Sequence, residues 1–254
     1  MTRSVTLPVV VKHAVTNEDA PWDRFDSADY YLHNYARLRD DDRDIIDRVA
    51  TFFAAHGPRK RLGRAIDVGS GTNLYPALTM LPFSAHVTLF ERAFTNRSWL
   101  TTSLEKPQDS WRDFWARIAT GREAYAGMRE PLDVLAGRAE VTAGNVFKLT
   151  PGQYDLGTMF FVAESITTRK DEFERATQQF VGSLRPWGPF AAAFMCESKG
   201  YWVGDDFFPA CSITEKDIRE CLAPVARIHE IEEVESHGLR EGYSGMIVAT
   251  GWKR

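Results

Sequence analysis

Cysteine is scarce in this 254-residue chain: Cys196, Cys211 and Cys221 are the whole complement, odd in number and without CxxC spacing. A disulfide framework and a thiolate zinc or redox motif are thereby excluded, and a reducing, cytoplasmic setting is expected. Long apolar runs are missing as well. No stretch approaches the ~18 apolar residues of a membrane span, and the opening Met-Thr-Arg-Ser-Val-Thr-Leu-Pro lacks the apolar centre of a secretory leader. Nor is there an excess of positive charge. With 31 Lys and Arg against 35 Asp and Glu, no overall field gathers phosphate backbones, so nucleic acid is not an expected partner. The basic run Arg59-Lys60-Arg61 reads as a solvated loop face. The histidines, His13, His33, His56, His86, His229 and His237, show no ligand spacing, and no metal is expected.

What remains is an ordinary globular composition, 44% apolar and 26% charged, which is enough to build a core and too apolar for disorder. Residues 1–20 have no period and read as a lead or strap. From Ser27 onward Ala28, Tyr31, Leu32, Tyr35 and Leu38, then Ile45, Ile46, Val49, Phe52 and Phe53, recur at helical spacing. Two helices are predicted, the second N-capped by Asp42 and stopped at Gly57-Pro58. Short apolar runs then alternate with helical patterns. Strands are predicted at 65–68, 86–90, 140–142, 156–161, 190–195, 225–231 and 245–251, with helices near 74–81, 95–104, 170–184 and 214–222.

That alternation is the signature of an α/β fold, a seven-stranded, mostly parallel, Rossmann-like sheet with helices on both faces. The short connection from Ser236 to Ser244 predicts an antiparallel last strand. Residues 105–137 are too long for a plain connection and carry Trp111, Phe114, Trp115 and Tyr125 at helical spacing, which predicts a helical insertion over the cleft. One domain over 1–254 is expected, with 1–58 as strap and helical cap.

The segment Ala65-Ile66-Asp67-Val68-Gly69-Ser70-Gly71-Thr72-Asn73-Leu74-Tyr75 reads as strand, glycine turn and helix start. Gly69 and Gly71 allow a tight turn and close ligand approach, and a helix N-terminus offers free N–H groups. Glu91, 24 residues after Asp67, ends the next strand, where a carboxylate can accept hydrogen bonds from both hydroxyls of a ribose. Together these point to a nucleoside-bearing cofactor. NAD and S-adenosylmethionine both carry adenosine. A dinucleotide site wants a third glycine where this chain has Thr72-Asn73-Leu74, which favours the sulfonium cofactor.

These residues resemble the nicotinamide, phenylethanolamine and thioether (indolethylamine) N-methyltransferase family of class I S-adenosylmethionine-dependent methyltransferases. The resemblance spans about Tyr30 to the C-terminus. It is carried by Tyr31-Leu32-His33-Asn34-Tyr35, by Ile66-Asp67-Val68-Gly69-Ser70-Gly71 with Tyr75, by Glu91 and Asn96, by Asn145-Val146, and by the turn from Leu184 to Gly188. It implies that Tyr31 and Tyr35 close over the cofactor, that Asp67, Gly69, Ser70, Gly71 and Tyr75 form the site of its methionine tail, and that Glu91 and Asn96 hold ribose and adenine. Asn145, Val146 and Phe160 complete that expected site. The family usually has Asp at the positions of Glu91 and Asn145; the Asn145 carbonyl oxygen is expected to take the adenine amino group.

In relatives that methylate amines an acid at the position of Glu164 faces the acceptor nitrogen. The resemblance therefore implies a catalytic and substrate-binding role for Glu164, as a holder of a cationic amine and acceptor of its proton; a carboxylate balancing the following helix is the other reading. Glu197, Tyr201 and Trp202 are implied as a substrate wall, with cap packing as the alternative for the two aromatics. The expectation is methyl transfer from S-adenosylmethionine to a small molecule, an amine nitrogen first and an oxygen or carbon second. A nicotinamide-dependent oxidoreductase and a non-catalytic adenosyl-binding regulator stand as readings of another class.

Overall fold

The apolar run that ends in the glycine turn forms β1 (Gly63–Val68), which pairs in parallel with β2 (Ser84–Glu91). A computed structural model describes residues 14–58, 63–234 and 244–254; the first thirteen residues of the lead, Arg59-Lys60-Arg61 and most of the Ser236–Ser244 connection lie outside the described residues. Further along come β3 (Ala139–Ala143), β4 (Leu156–Phe160) and β5 (Pro189–Cys196). A hairpin of β6 (Tyr201–Val203) and β7 (Asp206–Phe208) follows, then β8 (Ala226–Val234) and β9 (Gly245–Lys253).

The main sheet has seven strands in the order β3-β2-β1-β4-β5-β9-β8. The five strands from β3 to β5 are parallel, and β9 lies antiparallel to both β5 and β8. Every residue of β4 and β5 is buried, as expected of central strands covered on both faces. Winding reverses between β1 and β4, which opens a crevice beyond the carboxyl ends of these two strands. The β6–β7 hairpin was not legible from the sequence pattern.

The expected cap consists of α1 (Ser27–Asn34) and α2 (Asp40–His56). Asp42 is not the N-cap of α2: Arg39 takes that position, and Asp42 lies within the first turn, buried beside Tyr75. The remaining expected helices are α3 (Tyr75–Met80), α4 (Phe94–Glu105), α8 (Lys170–Gly182) and α9 (Glu215–Leu222). A reciprocal capping box of Thr214 and Asp217 starts α9.

Residues 105–137 fold into α5 (Ser110–Ala119), α6 (Glu123–Ala126) and α7 (Pro131–Arg138). None of their residues lines the cavity at the crevice. Trp111, Phe114 and Tyr125 are fully buried in the core on the α2–α3 face of the sheet. Helical periodicity identified which residues are buried; the partner that buries them is α2 and α3. Phe173, Phe180 and Ile218 of α8 and α9 fill the core on the opposite face.

Candidate functional site

The crevice holds a cavity with an empty volume of about 760 Å³, solvent at its mouth included. Its floor is the glycine turn. Gly69 and Gly71 sit at φ +67° and +55°, in the left-handed region where a side chain is strained. Gly69 is also closed in, since an added Cβ would lie 2.5 Å from Val162 Cγ2. Beyond the turn, the Thr72 hydroxyl and the Asn73 Nδ2 are buried with no hydrogen-bond partner among the described residues. Both residues line the cavity. Buried polar groups of this kind call for a partner, and a ligand with a charged, polar end supplies one.

Glu91 enters from the end of β2. Its carboxylate accepts from the Gly71 N–H at 2.9 Å and the Ala93 N–H at 2.7 Å. Burial pushes this carboxyl above its ordinary value, and those two N–H groups pull against the shift. Behind the turn, Asp67 accepts from the Thr158 hydroxyl at 2.7 Å, and burial pushes its carboxyl up to about 7. Asn96 is buried and accepts from the Ser27 hydroxyl at 2.7 Å, tying α4 to α1.

Of the expected cofactor residues, Tyr35, Gly69, Ser70, Gly71, Glu91, Asn96, Asn145, Val146 and Phe160 all line this cavity. Tyr31, Asp67 and Tyr75 stand behind its wall. The Tyr31 hydroxyl pairs with Ser110 Oγ at 2.8 Å, and its ring packs on Trp99 and Trp111. Tyr75 is fully buried, stacked on Phe114 with its edge to Phe160 and Tyr35. The Asn145 carbonyl oxygen, expected to receive an adenine amino group, already accepts from the Phe147 N–H at 3.0 Å and from Asn17 Nδ2 at 3.3 Å.

Several lining residues were not read as site residues from the sequence: Asn17, Trp22, Phe25 and Phe90. Thr72 and Asn73 carried a signal in their place directly after the glycine turn. Phe161, which follows β4 into the crevice, is the most unusual of the lining residues. It takes φ +59°, rare for a bulky residue, and its N–H donates to the Ala193 carbonyl at 2.7 Å.

A second, smaller compartment shares Tyr30, Tyr35 and Phe161 with the first. Asn34, Arg39, Asp41, Asp42, Met195 and Met246 form the rest of its wall. Burial, with the Asp41 charge beside it, pushes the Asp42 carboxyl up to about 8.

The expected substrate residues divide. Tyr201 lines the main cavity, and its hydroxyl donates to the Ser165 carbonyl at 3.2 Å. Trp202 is 65% exposed and packs edge-on against Phe207, and Glu197 is exposed at φ +51°. Glu164 belongs to the wall of neither compartment. It is fully buried, and its Oε1 accepts from the Met195 N–H at 3.0 Å and the Ser165 hydroxyl at 3.2 Å. Among the described residues no group of three or more His, Cys, Asp or Glu side chains comes together as a metal site, and no helix is long and apolar enough to cross a membrane.

A sequence model of the NNMT/PNMT/TEMT family matches residues 12–245. No curated protein matches the chain. Among solved structures, the N-methyltransferase NodS from Bradyrhizobium japonicum WM9, in complex with S-adenosylhomocysteine, is similar at 10% identity with a TM-score of 0.54, covering 90% of this chain and 99% of its own. The 1,6-didemethyltoxoflavin-N1-methyltransferase of Burkholderia thailandensis, with 1,6-didemethyltoxoflavin and S-adenosylhomocysteine bound, is similar at 16% identity and TM-score 0.51, over 89% and 86% of the two chains. The [4+2]-cyclase SpnF is similar at 16% identity and TM-score 0.52, over 82% and 80%. At these identities the likeness is one of fold, and a fold that also serves a cyclase leaves the reaction to be argued from the site.

Proposed function

The chain belongs to the NNMT/PNMT/TEMT family, a family of S-adenosylmethionine-dependent small-molecule methyltransferases, and from that premise we propose that its acceptor is an amine nitrogen held in the Asp41–Asp42 compartment. One observation carries the reading: Tyr30, Tyr35 and Phe161 form a shared aromatic wall between the cavity of the glycine turn and a compartment floored by two buried carboxyls.

The residues present fit the cofactor. The Thr72 hydroxyl and Asn73 Nδ2, just past the glycine turn, supply unpartnered polar groups for an amino-acid end, and Glu91 supplies the carboxylate for ribose hydroxyls. Bound S-adenosylmethionine supplies a methyl group already activated on a sulfonium, so the protein's task is alignment in a water-poor site. Tyr30, Tyr35 and Phe161 line both compartments, and aromatic faces there favour a centre that is, or becomes, positive.

An attacking amine needs its lone pair. A carboxyl held near 8 exchanges a proton at neutral pH, and Asp42 is placed to take the proton an ammonium must lose. Asp41, beside it, supplies negative charge as the nitrogen becomes cationic. Glu164 acts through others: by holding the Met195 N–H and Ser165 it fixes one wall of the acceptor compartment, and we assign it as a positioning residue. The three buried thiols fit a cytoplasmic address.

The test is turnover of a panel of primary and secondary amines, phenols and thiols, read by mass spectrometry of methylated products, with pH profiles of kcat/KM. Amine products are expected, with kcat/KM rising toward pH 8, and Asp42→Asn abolishing that rise. Glu164→Gln is expected to lower the melting temperature and leave the pH profile in place. Methylation confined to phenols, or an Asp42→Asn enzyme with an unchanged profile, overturns the reading.

A further inference from the structure

The N-terminal strap is held in place at one residue above all. The Asn17 N–H donates to Glu172 Oε2 at 2.9 Å, its carbonyl accepts from Trp22 Nε1 at 2.9 Å, and its side-chain Nδ2 donates to Asn145 Oδ1 at 3.3 Å. Two residues earlier, Val15 and Thr168 exchange backbone and hydroxyl hydrogen bonds, which fastens the strap to the loop ahead of α8. Asn17 is only 2% exposed, and it lines the cavity together with Asn145.

An amide side chain can be turned either way, so its polarity needs an anchor. Here the anchor is the backbone. The Phe147 N–H can only donate, and it donates to Asn145 Oδ1. That fixes the Asn145 oxygen, and the Asn17 side chain must then present Nδ2 to the same oxygen. Two polar atoms are left over, Asn145 Nδ2 as donor and Asn17 Oδ1 as acceptor, with no hydrogen-bond partner among the described residues. Their pattern is the complement of one edge of adenine, where N1 accepts and the exocyclic amino group donates.

We infer that Asn17 of the strap is a specificity-determining residue for the cofactor, taking the adenine amino group on its Oδ1 while Asn145 Nδ2 donates to N1. The inference rests on S-adenosylmethionine as the cofactor. It places adenine recognition on two segments 128 residues apart in sequence, one of which must be seated on α8 before the edge is complete. Hypoxanthine presents the reverse pattern, an acceptor oxygen and an N1–H donor, and is mismatched at both positions.

Calorimetric titration with S-adenosylhomocysteine and S-inosylhomocysteine tests this without turnover. Each mismatched or lost hydrogen bond is worth about tenfold in affinity, so wild type is expected to prefer the adenine compound by about a hundredfold. Asn17→Ala is expected to bind S-adenosylhomocysteine about tenfold more weakly and to lose about tenfold of that preference. Asn17→Leu keeps the bulk of the side chain and should show the same loss. If either variant binds S-adenosylhomocysteine within twofold of wild type, or if both compounds weaken equally with the preference intact, the inference is overturned and the strap is a cover only. A wild-type protein that binds neither compound overturns the cofactor assignment itself, and this inference with it.

Discussion

Gly69 and Gly71 share a backbone conformation but not surroundings, and alanine at each separates strain from crowding. Either alanine must adopt a left-handed conformation, at a cost of roughly 1–2 kcal/mol. At Gly71 nothing further is added, because the nearest atom to an ideal Cβ is the Gly69 carbonyl oxygen at 3.8 Å. At Gly69 the Cβ would lie 2.5 Å from Val162 Cγ2 and 2.9 Å from Cγ1, so Val162 must move. Overpacking of this kind costs roughly a further 1–3 kcal/mol. Gly69→Ala is therefore expected to destabilise by about 2–5 kcal/mol and Gly71→Ala by about 1–2 kcal/mol. Urea unfolding followed by tryptophan fluorescence, with a common m-value, measures both. Equal losses, within about 0.5 kcal/mol, would refute the argument that Val162 closes down on the turn.

Tyr125→Phe removes a fully buried hydroxyl that donates to the Thr79 carbonyl at 2.8 Å and lies 3.2 Å from that of Ala50; a loss of about 1–2 kcal/mol is expected in the same urea assay. Asp42 and Asp67 both keep protons in the folded state that the unfolded chain releases above its ordinary carboxyl value. The folded state then binds more protons, so stability falls as pH rises from about 4 toward 7 to 8, by at most about 1.4 kcal/mol per pH unit for each retained proton. Urea midpoints at pH 5, 6, 7 and 8 follow this fall, and Asp67→Asn should flatten part of it; a rising profile contradicts the assignment. Burial pushes the thiols of Cys196 and Cys221 up to about 12 and that of Cys211 up to about 11. A thiol-specific reagent such as Ellman's should leave the native protein untouched and modify all three cysteines in urea; a fast-reacting thiol in the native state counts against their burial.

What the sequence made legible was local. The glycine turn, Glu91 and Asn96 announce themselves within a few residues of a strand end, and all of them line the cavity; Asp67, on β1 ahead of the turn, does not. Periodicity likewise placed Phe52, Phe53, Trp111 and Phe114 in the core. Position in the third dimension was not legible. Glu164 lies in the turn after β4, yet its carboxylate is taken by the Met195 N–H, a partner 31 residues away that no spacing reveals. Asn17 lies in a stretch with no period at all, and becomes meaningful only when the strap reaches Asn145. The acidic start of α2 read only as an N-cap at Asp42, but Asp41 and Asp42 are buried and form a compartment wall.

The strand that comes last in the sheet's sequence order does not take the last place in the sheet. Throughout synthesis of the preceding strands β5 presents an open edge and β8 has no neighbour, until β9 slides between them and pairs with both. Its first paired residues include Met246, which meets Met195 across the ladder, and these two residues line the smaller compartment. A nascent chain can therefore assemble the glycine turn early, from neighbouring strands, while the smaller compartment, proposed for the acceptor, waits for β9. A ligand held between Met195 and Met246 therefore reports that β9 has been seated.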